Sequence, residues 1–221
     1  MKVYVLLGAP GAGKGTQAAL VANRLGAAHI STGALLREEI KSGSSLGQKV
    51  KTIVESGSLV DDQTLFECCH GTLVRAKEAG KRILLLDGVP RNLSQVRILD
   101  EVLLKLNLKV DAAIDFEVSK DVLVARLSNR WTCQKCSAVA SGNAEGLAPS
   151  SCASCGATHS FARRKDDEPV AVSKRLGVYE AETAPVSGDY LKQGLLHRVD
   201  ANRDPELVYL DVAAVITKKL K

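Results

Sequence analysis

Aromatic side chains are scarce in this chain: three Phe, one Trp and four Tyr make up 4% of its 221 residues. With so few flat rings, the stacking platforms that grip single-stranded nucleic acid are scarce, and no nucleic-acid partner is expected. Long apolar runs are missing too. No stretch approaches the roughly 20 residues that cross a bilayer, and KVYVLL (2–7) is too short for the core of a signal peptide. A cytoplasmic protein with no membrane partner is the expectation. Charge of one sign is also lacking: 30 Lys and Arg stand against 25 Asp and Glu, for a net +5. That mild excess favours anionic ligands without demanding nucleic acid. Neither an internal repeat nor a disordered tail interrupts the chain, and its length suits one substantial core with small insertions.

What is present is an alternation. Residues 3–7 read as a buried strand, and three further apolar runs have the same look: RILLL (82–86), VDAAIDF (110–116) and LLHRV (195–199). Helical spacing follows the first strand through Gln17, Leu20, Val21 and Leu25, and recurs over 61–77, 94–106, 119–128 and 204–220. Strands alternating with helices predict an α/β fold with a parallel sheet covered on both faces. Two segments break the pattern. Residues 31–60 read as short helices joined by KSGSSLG and ESGSLVDD, with no strand of their own. Residues 131–163 lose periodicity and turn rich in Cys, Ser, Gly and Ala. Both are excursions from the core.

Between the first strand and the first helix lies GAPGAGKGTQ (8–17). Gly8, Gly13 and Lys14 fit the phosphate-binding pattern G-x-x-x-x-G-K. Such glycines let backbone N–H groups converge on phosphate oxygens, and the lysine adds positive charge at the start of a helix dipole. The competing reading is a tight turn that happens to carry a lysine, and the strand–loop–helix order argues against it. One feature is irregular. The hydroxyl that normally follows the lysine and holds Mg²⁺ is replaced by Gly15, and a hydroxyl arrives one place late at Thr16. Asp87, at the tip of the second strand run, offers another way to hold the metal. Ligands of open α/β sheets gather at such tips, and a carboxylate there can steady the water shell of a phosphate-bound Mg²⁺. A plain turn cap is the alternative for Asp87.

Together GAPGAGKGTQ, STGALLR (31–37), LLDGVPRNLSQ (85–95), RRKDDEPVAVSKRL (163–176), VYEAETAPV (178–186) and VDA (199–201) give a chain that resembles adenylate kinase over nearly its whole length. The form with cysteines in its lid resembles the long bacterial type. The resemblance implies a three-layer P-loop α/β fold around a five-stranded parallel sheet, and a monomer. A core of residues 1–30, 61–125 and 168–221 would carry two mobile parts. A helical flap, 31–60, would close over AMP, and a lid, 126–167, over ATP. The ATP site would comprise Gly11, Ala12, Gly13, Lys14, Gly15 and Thr16, with Arg126 and Arg130. The AMP site would comprise Thr32, Arg37, Ser58, Val60, Gly88, Arg91, Gln95, Arg164 and Arg175. An arginine fork suits the AMP phosphate, and a glutamine amide can offer donor and acceptor together to an adenine edge.

The reaction implied is ATP + AMP ⇌ 2 ADP, with Lys14, Asp87, Arg91, Arg126, Arg130, Arg164, Arg175 and Mg²⁺ at its centre. It needs no catalytic base, because the second pKa of a phosphate monoester is near 6 and the attacking oxygen is already largely ionised. That suits a chain whose histidines (29, 70, 159 and 197) form no catalytic set and read as structural or surface residues. The alternatives are a monophosphate kinase of other base specificity, an adenine nucleotide sensor with weak catalysis, and a zinc-ribbon nucleic-acid binder.

Three positions depart from the family pattern: Ala34 stands where Asp is usual, Val89 where Phe is usual, and Ala201 where Gly is usual. Ala34 removes a carboxylate that would share the magnesium waters with Asp87. Val89 would loosen base discrimination beside the AMP site, and Ala201 would alter a backbone approach to the ATP base.

Four of the six cysteines form two C-x-x-C knuckles, Cys133/Cys136 and Cys152/Cys155, with 15 residues between them. Paired knuckles at this spacing suit a tetrahedral zinc with four thiolates and no open position, hence a structural ion. Redox disulfides are the alternative, disfavoured in the cytosol. The intervening segment is too polar to fold on an apolar core and lacks aromatics, which gives a metal staple a role. Cys68 and Cys69 read as small core residues within a helix.

Overall fold

The computed structural model describes residues 1–220. Its first half runs β1 (Lys2–Leu7), α1 (Lys14–Leu25), β2 (Ala28–Ser31), α2 (Thr32–Ser42), α3 (Ser45–Glu55), α4 (Asp62–Glu78), β3 (Ile83–Asp87) and α5 (Leu93–Lys105). The second half runs β4 (Val110–Glu117), α6 (Lys120–Ser128), β5 (Arg130–Cys133), β6 (Val139–Ser141), β7 (Phe161–Ala162), α7 (Pro169–Val178), α8 (Ala184–Lys192), β8 (Leu196–Asp200) and α9 (Pro205–Leu220). A π-helical turn, Tyr179–Thr183, joins α7 to α8.

Five strands form one parallel sheet in the order β2-β3-β1-β4-β8. Alternate residues of each strand feed two separate cores. Val3, Val5, Leu84 and Leu86 pack on one face with α4, α5 and Tyr190 of α8. Tyr4, Leu6, Leu85 and Ile114 pack on the other with α1 and α9. This two-sided burial is why the strands read as unbroken apolar runs. It also gives the three layers expected. No helix among the described residues is long and apolar enough to cross a membrane.

The structure adds to the sequence reading and corrects it in places. Four of the strands and the helices of the alternation fall where the periodicity puts them. The fifth strand, β2, carries only AHIS and was not legible: it is a short edge strand beside β3, with one buried residue, Ile30. The region 131–163 is not structureless. It forms a three-stranded antiparallel sheet, β6-β5-β7, too short to show a period of two. Val89 is 2% exposed and packs in the core behind the α4–α5 face, so its replacement of an aromatic is a core substitution. Cys69 is a core residue as expected, 2% exposed, its thiol pushed up to about 12 by burial.

Candidate active site

The loop after β1 is shaped by its own side chain. Lys14 curls back so that Nζ donates to the carbonyls of Gly8 (2.6 Å) and Ala9 (3.0 Å). Gly8 has φ 130°, and a Cβ there would fall 2.9 Å from the Phe116 carbonyl of β4, so the tight passage requires glycine. Burial lowers the Lys14 pKa to about 8; Asp87 opposes that shift, and Arg91, Arg175 and Arg130 add to it. Gly15 and Thr16 are exposed at the start of α1. A Cβ at Gly15 would lie 3.5 Å from Asp87 Oδ2, so the position of the missing hydroxyl faces that carboxylate.

Asp87 ends β3. Burial would raise its pKa, yet it sits below the ordinary carboxylate value because His29, Lys14 and Arg91 favour the ionised form. His29 belongs to β2, one strand over, with Nε2 3.5 Å from Asp87 Oδ2. The sequence reading left His29 without a role. Only the register of β2 against β3, which pairs Ser31 with Asp87, brings the two together. Ala34 lies in the first turn of α2, where its N–H is capped by Ser31 Oγ at 3.4 Å.

Beyond Asp87 the cations converge. Asp167, whose side chain is 1% exposed, accepts from Arg130 through Nε at 2.7 Å and also through Nη2, and from Arg175 Nη1 at 3.0 Å. Arg175 also pairs with Asp166 at 2.9 Å. Arg164 Nε donates to Thr132 Oγ1 at 2.8 Å. Burial, with Arg37 and Arg130 nearby, pushes the Arg164 pKa down to about 9; Arg37, Arg91 and Arg175 are lowered by burial as well. Asp166 is held below the usual carboxylate range: burial would raise it, and Arg175, Arg37, Arg130 and Arg164 overcome that. Six cations, counting Lys14, thus meet three carboxylates. The two aspartates of RRKDDE were missed as site residues, although the charge run itself was the signal.

A cleft open to solvent lies beside this cluster, between α2, α3 and α5, lined by Arg37, Ser58, Val60, Arg91, Gln95 and Arg175 among others. Arg91 is braced by its own Nε on the Gly88 carbonyl (2.7 Å). Gly88 has φ 88°, and a Cβ there would come within 2.5 Å of Thr32 Oγ1 and 2.9 Å of Arg91 Nη2. Thr32 is fully buried and gives its hydroxyl proton to the Gly88 carbonyl at 2.9 Å, so it shapes the cleft from behind. Arg126 lies apart from the arginine cluster. Its Nη2 donates to the Ala201 carbonyl at 2.9 Å, with Nη1 4.0 Å from where a Gly13 Cβ would be.

The cysteine-bearing segment and the loop before α7 reach across this cleft to α2 and α3. Lys41 Nζ of α2 donates to the Gln134 carbonyl at 2.8 Å, and Lys165 pairs with Glu55 of α3 at 3.4 Å. The four Sγ atoms of Cys133, Cys136, Cys152 and Cys155 lie within 4.8 Å of one another, the one such cluster among the described residues. Cys133–Cys155 and Cys136–Cys152 are 3.8 and 3.6 Å apart, near the edge of a tetrahedron built on a Zn–S bond of about 2.3 Å, and all four are free thiols. The Cys133 thiol is pulled down to about 6 by hydrogen bonding from Ser160 and from the knuckle's backbone N–H groups. Backbone N–H groups of Cys155 and Ser154 lower Cys152 in the same manner. Against the Ala138 N–H, which lowers it, desolvation and the three neighbouring cysteines push Cys136 up to about 12. Four sulfurs at this spacing fit a metal ion.

A glycine loop and lysine at the tip of a parallel sheet, with a second cleft lined by arginine, define a P-loop α/β protein of the nucleoside monophosphate kinase class. The chain belongs to the adenylate kinase family: the model of that family matches residues 6–195. It is 39% identical to an adenylate kinase of Enterococcus faecalis over 96% of this chain and 97% of that protein. It is likewise 40% identical to one from Magnetococcus marinus, over 98% of this chain and 100% of the other. An archaeal relative, the adenylate kinase of Methanocella arvoryzae, is 39% identical over 97% and 98%.

Proposed function

We propose that this chain transfers the γ-phosphoryl group of ATP to AMP, reversibly and with Mg²⁺, giving two ADP. The observation that carries the reading is the imbalance at the centre of the site: Lys14 and five arginines are clustered against three aspartates. Buried cations at this density need anions, and two nucleotides bring four phosphates. The loop of Gly11, Ala12, Gly13, Lys14, Gly15 and Thr16 takes the ATP phosphates, together with Arg126, which lies beside Gly13. Arg37 and Arg91 take the AMP phosphate, with Ser58, Val60 and Gln95 around its base. Thr32 and Gly88 support that cleft from behind. Arg130, Arg164 and Arg175 follow the charge that develops on the transferring group.

The AMP oxygen is ionised near neutral pH and attacks without a base, so the chain's work is positioning and charge stabilisation. Asp87, ionised and facing Gly15, would hold the water shell of Mg²⁺, which when bound offsets phosphate charge. No loop hydroxyl and no carboxylate at 34 assists it. The lid cysteines would hold zinc as a staple, in a reducing, cytoplasmic compartment that keeps them from forming disulfides. Residues 31–60 and 126–167 act as flap and lid of a monomer. The test is ADP formation from ATP with AMP, UMP, CMP or GMP, with and without Mg²⁺. Rapid ADP formation with AMP and Mg²⁺ is expected; binding of both nucleotides without turnover would make the protein a nucleotide sensor and overturn the reading.

A further inference from the structure

Gln95 is 1% exposed, yet both ends of its amide are already engaged. The backbone N–H of Arg91 donates to Oε1 at 2.7 Å, and Nε2 donates to Asp62 Oδ1 at 2.8 Å. Asp62 opens α4, and its Oδ1 also takes a long contact of 3.5 Å from Asn92 Nδ2. Asn92 in turn caps α5 through the Gln95 N–H at 2.8 Å. Thr183 Oγ1 donates to the Arg91 carbonyl at 2.8 Å, which holds the residue whose N–H meets Gln95 from its other side.

The chemistry of these partners allows one amide orientation. A backbone N–H is a donor only and must meet oxygen; a carboxylate is an acceptor only and must meet the NH₂. A flipped amide would oppose donor to donor at Arg91 and acceptor to acceptor at Asp62. One lone pair and one N–H remain free for the cleft that Gln95 lines. A 6-aminopurine presents a donor at C6 beside an acceptor at N1. A 6-oxopurine has nearly the same shape but presents the inverse. A rotatable glutamine could serve either by turning over; a locked one serves a single pattern.

We infer that Asp62 is a specificity-determining positioning residue: by locking the Gln95 amide it makes the acceptor site discriminate 6-amino from 6-oxo purine monophosphates. The inference rests on the reading that Gln95 meets the base. An interface whose polar groups cannot adapt rejects the mismatched ligand, because both of its buried groups would be left unpaired.

The test compares kcat/KM for AMP and IMP in the wild-type protein, Asp62→Asn and Gln95→Leu, with ATP as donor. An asparagine at 62 can turn either face to Gln95 and so removes one of the two locks. The AMP-over-IMP ratio is expected to fall about tenfold in Asp62→Asn, largely through a gain with IMP, while the KM for ATP stays unchanged. An unchanged ratio, or an equal loss for both acceptors, overturns the inference if Gln95→Leu abolishes discrimination. If Gln95→Leu also leaves the ratio unchanged, Gln95 does not read the base and both statements fall. Hydrogen exchange of the Gln95 side-chain amide, followed by ¹⁵N NMR, gives a readout independent of turnover. Protection in the wild type that is lost in Asp62→Asn is expected; an unprotected wild-type amide would refute the lock.

Discussion

Asp167→Asn tests the electrostatic argument most directly. The carboxylate is 1% exposed and takes hydrogen bonds from two arginines, Arg130 and Arg175, whose side chains are 14% and 18% exposed. Asparagine keeps the shape but leaves two largely buried guanidinium groups facing a neutral amide. Breaking a buried pair from one side costs about 3–5 kcal/mol. The lower end applies here, because Arg175 keeps Asp166 at 2.9 Å and the cluster borders a solvent-filled cleft. A loss of about 3 kcal/mol would lower Tm by about 6–12 °C in a chain of this size. The assay is denaturant or thermal unfolding without nucleotide, with the double variant Arg130→Met/Asp167→Asn as the partner measurement. The double variant should be less destabilised than the sum of the singles, by about 1 kcal/mol or more, since removing one cation relieves the deficit. A loss under about 1 kcal/mol, the value of an exposed pair, together with plain additivity, would refute the reasoning.

Three further outcomes follow from the same site. Lys14 carries a free-enzyme pKa of about 8, so kcat/KM for ATP should decline above pH 8 as the charge is lost, while kcat holds to higher pH because bound phosphates favour the ammonium. The sign for stability is opposite. Burial penalises the charged lysine below pH 8, and that penalty is relieved as pH rises from 8 toward the unfolded value of about 10.4, so a kcat/KM profile flat to pH 10 would sink the assignment. Ala34→Asp restores a carboxylate in the first turn of α2; a several-fold lower Mg²⁺ requirement or higher kcat is expected, with about 0.3–1 kcal/mol from the helix dipole. Unchanged kcat and Mg²⁺ response would show that Asp87 never lacked a partner. Metal removal by a chelator should shift the fluorescence of Trp131, the sole tryptophan, whose Nε1 contacts the Gly146 carbonyl at 3.3 Å inside the lid, while helical circular dichroism persists. Global unfolding on chelation, or no change in Trp131 emission, would contradict a staple confined to the lid.

Much of the protein is determined by short stretches of the chain acting locally. The buried strands announce themselves because both faces of a covered parallel sheet exclude water, and the phosphate loop because glycines and a lysine act within ten residues. The cysteine knuckles are legible for the same reason, since metal ligands need fixed short spacings. The tertiary structure alone decided the rest. It set His29 against Asp87 through the register of an edge strand too short to have a pattern. It placed Val89 in the core. It also joined Asp62 to Gln95 across 33 positions and Asp167 to Arg130 across 37. Such pairs depend on how helices and loops pack far from one another in sequence. A single charged residue in the chain looks the same whether it faces water or locks a neighbour in place.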